Sequence, residues 1–89
     1  MAANVPTMTA RPIKRSLTLH GHRTSVSLEA AFWEAFRSIA EDRRLPLNQL
    51  AADIDDARQG DEGLASAIRV FVLNHYRDAT RLSVTARSP

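Results

Sequence analysis

"GHRTSVSLEAAFW", residues 21–33, changes its hydrophobic period half-way along. In its first half, Val26 and Leu28 fall on one side and Arg23, Ser25 and Ser27 on the other, the alternation of a strand over 23–28. From Glu29 the period becomes 3.6. Phe32, Phe36, Ile39 and Ala40 recur at helical spacing, with Trp33 flanking the stripe, and predict a helix over about 29–44. Glu29 in the first turn suits the positive end of the helix dipole.

Working outward, residues 13–20 (IKRSLTLH) alternate weakly, with Leu17 and Leu19 on one side and Ser16, Thr18 and His20 on the other. They read either as a second strand turning at Gly21 or as an extended arm. Residues 1–12 are small, polar and proline-marked, the composition of a disordered arm. Downstream, Pro46 marks the opening of a second helix, since proline is tolerated in a first turn but not inside a helix. Leu47, Leu50, Ala51, Ile54 and Arg58 share one face of that helix over 47–59. After the break "GDEG" (60–63), Leu64, Ala67, Ile68, Phe71, Val72 and His75 define a third helix over 64–78. Val70, Leu73 and Tyr76 widen its stripe until residues 70–73 are apolar almost all round, so it must be buried on more than one side. Residues 79–89 are short and sparsely apolar, and read as a flexible tail. The fold class expected is mainly α with one short β-strand.

With 89 residues and no cysteine, the chain supports one small domain that neither a disulfide nor a thiolate-bound zinc can staple. A domain this size buries only about 60% of its unfolded surface, which makes oligomerisation the remaining common remedy. No apolar run approaches the roughly 20 residues of a membrane span, and nothing at the N-terminus resembles a signal peptide. No membrane partner is expected, and a cytoplasmic location is the default. The formal net charge of +2 is unevenly placed. Arg11, Lys14, Arg15 and Arg23 stand in residues 1–28 without a single acid, whereas residues 29–78 set six arginines against ten acids. A polyanion would meet the strand end of the molecule, not its helices.

A lone strand needs a partner, and a second copy of the chain supplies one. Two such strands, antiparallel about a two-fold axis, would form a ribbon with Val26 and Leu28 on the helices and Arg23, Ser25 and Ser27 projecting outward. A two-stranded ribbon fits the major groove of B-DNA. The order strand–helix–helix over residues 23–54 resembles the ribbon-helix-helix class of DNA-binding proteins (Arc- and MetJ-like). "GHRTSVSLE", "LNQL" and "SAIRVFVLNHY" together are similar to the bacterial subgroup of short ribbon-helix-helix domain proteins. The resemblance implies an intertwined homodimer with an intersubunit antiparallel β-ribbon, here carrying a third helix. It implies double-stranded DNA as partner and transcriptional repression or autoregulation as the role, and leaves open whether dimers associate further on DNA.

Carried over by position, the base-reading residues are Arg23, Ser25 and Ser27. Arginine can make two hydrogen bonds to guanine, and a serine hydroxyl discriminates less. Phosphate contacts fall to Lys14 and Arg15 on the arm and to the amides opening the second helix near Leu47 and Asn48. Pro46 stands where related sequences often carry a serine cap, which removes one donor from that clamp. The dimer core is expected from Val26, Leu28, Phe32, Phe36, Leu50, Ile54, Ile68, Phe71 and Val72. Two registers are open for the family's second helix: 47–59, favoured by the short joint and Asn48, or 64–78 with 47–59 as an insertion.

Other constellations read as structure. His20 and His22 place two imidazoles on one side of an extended segment, but no third ligand follows them, so no metal site is expected. Asp53, Asp55 and Asp56 read as crowding at a helix end, with no metal-loop spacing. Trp33, Phe32 and Phe36 read as core. There is no nucleophile–base–acid set and no glycine-rich phosphate loop, so neither enzymatic activity nor a cofactor is expected. The competing reading is an antitoxin- or adaptor-like interaction module in which the ribbon only dimerises the chain.

Overall fold

A computed structural model describes residues 11–87, with side chains described through residue 80. Most of the arm expected over 1–12 therefore lies outside the described residues. The element order is β1 (Ile13–Leu19), β2 (His22–Leu28), α1 (Ala30–Asp42), α2 (Leu47–Ala57) and α3 (Leu64–Arg87).

The first departure from the sequence reading is the second strand. β2 pairs antiparallel with β1 of its own chain, in the register Leu19↔His22, Leu17↔Thr24, Arg15↔Val26 and Ile13↔Leu28. The expectation of a single strand is thus corrected, and Lys14 and Arg15 lie in a regular strand instead of a loose arm. The cause is local. His20 and Gly21 both adopt positive φ, 52° and 79°, as a two-residue type I′ hairpin turn requires. Closing so short a loop costs far less entropy than recruiting a strand from elsewhere.

The inner face of the hairpin lies on the helices, β1 chiefly against α2 and β2 against α3. Leu17, Leu19, Val26 and Leu28 from the hairpin meet Trp33, Phe36 and Ile39 of α1, Leu50 and Ile54 of α2, and Ile68 and Val72 of α3. Phe32 and Phe71, expected in the core, are only half-buried and pack against its edge. Trp33 takes the inside position instead. Its indole N–H donates to the Ile13 carbonyl at 2.8 Å, so the ring is buried without orphaning its one donor.

α1 ends in a Schellman motif: Arg44 N–H donates to the Glu41 carbonyl and Leu45 N–H to the Ala40 carbonyl. Leu45 then folds back onto the core, which turns the chain into α2. α3 continues to Arg87, where the sequence suggested a tail from residue 79. No glycine or proline interrupts the chain from Leu64 to Ser88, so nothing stops the helix at 78. Among the described residues no helix is long and apolar enough to cross a membrane.

Arg44 sits in the Schellman position at φ 58°, where glycine is usual and a side chain is strained. Arg44→Gly should stabilise the fold by roughly 0.5–1 kcal/mol, because relief of left-handed strain exceeds glycine's added chain entropy. Chemical denaturation of the two proteins measures the difference.

Candidate nucleic-acid interface

Strand alternation gives the hairpin an outer face with a definite composition. Lys14 lies opposite Ser27, Ser16 opposite Ser25, and Thr18 opposite Arg23. All are exposed except Ser27, which is half-buried. The face carries two cations, four hydroxyls and no acid. Guanidinium, ammonium and hydroxyl donors, all able to contact base edges, are present, and nothing on the face repels phosphate. Arg23, Ser25 and Ser27 are thus brought onto one surface, while Val26 and Leu28 lie beneath them in the core.

Two contacts fix this surface to the helices. On the β1 side, Thr18 N–H donates to Asn48 Oδ1 at 3.1 Å, which ties the strand to the first turn of α2. On the β2 side, Arg69 of α3 donates to both carboxylate oxygens of Glu29, at 2.9 and 3.1 Å, and reaches the Ser27 carbonyl at 3.4 Å. The Arg69 guanidinium holds the Glu29 carboxyl below its ordinary range, first through these hydrogen bonds and less through its charge. Arg69 also lies over the Phe32 ring, 5.7 Å from its centroid.

The residues expected to hold phosphate divide. Lys14 shares the outer face. Arg15 lies on the opposite side of the strand, stacked over Trp33 at 5.7 Å. There it joins Arg37 of α1 and Leu47 of α2 around a shallow recess of about 120 Å³. Pro46 is the N-cap of α2 and makes no side-chain cap, so the first-turn amides at Leu47 and Asn48 are not claimed by it. Asn48 itself spends its side-chain oxygen on Thr18. Arg37 was not singled out in the sequence. The signal was present only as its i+4 spacing from Trp33, which puts both over the same turn.

Residues 12–76, well over half of the chain, match the family model described as "Ribbon-helix-helix domain". The chain belongs to the ribbon-helix-helix domain family. A two-stranded antiparallel ribbon followed by helices agrees with that membership, and the family is broadly one of DNA-binding transcription regulators. The match reaches residue 76, so this ribbon-helix-helix domain takes in β1 and most of α3 as well as the strand–helix–helix segment. No curated protein and no solved structure shows a significant similarity to the chain.

Because Glu29 titrates lower when folded than when unfolded, its pairing with Arg69 contributes stability above the ordinary glutamate value. That contribution is lost as pH falls through the folded value. Glu29→Gln should therefore melt below the wild type at neutral pH and lose less on acidification, so that the two melting temperatures converge as the pH falls below the ordinary glutamate range. Thermal melts followed by circular dichroism from pH 7 to pH 3 measure this.

Proposed function

We propose that this protein is a dimeric, sequence-specific DNA-binding protein that reads the major groove with the outer face of its hairpin and acts as a repressor or autoregulator. The observation that carries this reading is the acid-free outer face, on which Arg23 and Ser25 stand exposed opposite Thr18 and Ser16. A two-stranded ribbon fits the major groove, where an arginine can hold guanine O6 and N7 together. Ser25 and Ser27 supply weaker, more tolerant contacts. Lys14, at the end of the face away from the turn, contacts phosphate. So do Arg15, Arg37 and the opening amides of α2 beside them, where the positive end of the helix adds to two guanidinium groups.

The dimer is supported by α3. Val70, Leu73 and Tyr76 are 49%, 54% and 44% exposed, and together with Phe32 they line an open groove of about 320 Å³. A patch of large apolar side chains on so small a domain marks an association surface. A second copy is the occupant this reading assigns to it. In the competing interaction-module reading the same face would hold a different protein, and the hairpin face would be inert toward DNA.

Selection from random duplexes provides a cognate site for the test. Arg23→Ala should weaken binding there by on the order of 1–3 kcal/mol and blur preference at one base position per half-site. Lys14→Ala and Arg37→Ala should weaken all duplexes alike and flatten the salt dependence. If Arg23→Ala binds its site like the wild type, the hairpin is not the reader and the interaction-module reading replaces this one.

Dimerisation is measured separately. Sedimentation at micromolar concentration should give about twice the 9.9 kDa chain mass, and Leu73→Glu should return a folded species of single-chain mass. A wild-type protein that sediments as a folded monomer refutes the dimer.

A further inference from the structure

His20 and His22 lack a third ligand in the sequence, and folding supplies one. The hairpin tip lies beside the last turn of α2, where His20 Nε2 comes to 2.9 Å from Asp56 Oδ1. Ligand atoms of His20, Asp55 and Asp56 all fall within 4.8 Å of one another. We propose that these three side chains form a binding site for a divalent transition-metal ion, which would clamp the tip of the hairpin to the end of α2.

Distance permits it. Metal–ligand bonds of about 2.0–2.2 Å place neighbouring tetrahedral ligand atoms roughly 3.4 Å apart, so closing on an ion needs shifts of little more than an ångström in exposed or half-exposed side chains. Chemistry narrows the ion. One imidazole and two carboxylates without a thiolate suit zinc, cobalt or nickel, disfavour Cu(I), and are poor for calcium or magnesium, which prefer all-oxygen shells.

Two independent features point the same way. Asp55 and Asp56 occupy the last turn of α2, at the negative end of the helix dipole, and that turn has no basic residue. Arg58, just beyond the helix, pairs with Asp55 at 2.7 Å, while the Asp56 carboxylate meets the exposed His20, an imidazole that carries charge only when protonated. A cation held by these two carboxylates would sit at the negative end of the helix, where positive charge is favoured. Secondly, the cluster opens on a groove of about 480 Å³ that His20, Asp55 and His22 help to line. The groove has room for the waters that would complete a three-ligand shell. His22 lies outside the cluster and is not one of the three.

The full chain, stripped of metal, is titrated with zinc by calorimetry and with cobalt by visible absorption. Wild type should take up one ion per chain with saturation in the micromolar range. It should show the intense visible bands of low-coordinate cobalt, and its melting temperature should rise with zinc. His20→Asn keeps a residue that tolerates positive φ at the turn while removing the imidazole. His20→Asn and Asp56→Asn should each abolish saturable uptake and the melting shift, while Asp61→Asn, outside the cluster, should bind as wild type does. Circular dichroism of the metal-free variants confirms that each is folded, and Asp56→Asn at its exposed position carries the test if the turn variant is not. No saturable uptake by wild type overturns the proposal, as does wild-type uptake in the folded His20 and Asp56 variants.

Discussion

The two-residue turn at His20 and Gly21 sets the register on which the rest of the molecule depends. With Leu19 facing His22, every second side chain of both strands is committed to one side, and Leu17, Leu19, Val26 and Leu28 all fall inward. A slip of one residue would turn those four to solvent and drive Lys14 and Arg23 into the helices, which the core could not accommodate. Each helix then packs on a surface already defined. Phe36, Leu50 and Ile68 reach the same hairpin face from three directions, and none of them retains appreciable exposure.

The alternation that anchors the hairpin also creates its outer face. A strand that buries one side has to present the other, and this one presents hydroxyls and cations only. The acids lie outside the strands, on the helices and at their ends and joints, and two of them meet arginines: Glu29 with Arg69 and Asp55 with Arg58. Positive potential therefore gathers on the hairpin and on the Arg15–Arg37 recess beside it, while the remainder of the surface stays mixed. The hairpin is held against the helices because Asn48 ties β1 to α2 and Arg69 ties β2 to α3. Both ties are made to backbone groups, so they constrain the strands without consuming the outward side chains.

Hydrophobic period and breaker residues determined much of this protein on their own. The change of period at Glu29, the joint at Pro46 and the GDEG break locate β2, α1, α2 and the start of α3 within a few residues, because each rests on local spacing; the end of α3, nine residues beyond the expected one, has no such marker. The outward set Arg23, Ser25 and Ser27 follows from the two-residue period of a strand and nothing else. What the sequence left undecided were relations between segments. Leu17 and Leu19 alternate too weakly to declare a strand, and only the positive φ of His20 and Gly21 turns them back onto β2. Trp33 is buried and Phe32 only half-buried, and the indole proton of Trp33 is accepted by a carbonyl twenty residues away, at Ile13. Arg37 joins Arg15, and Asp55 and Asp56 join His20, across separations of about 20 and 35 residues. Periodicity reports which way a side chain points from its own element. Which neighbour it then meets is decided by how the elements stack, and that is a property of the tertiary structure alone.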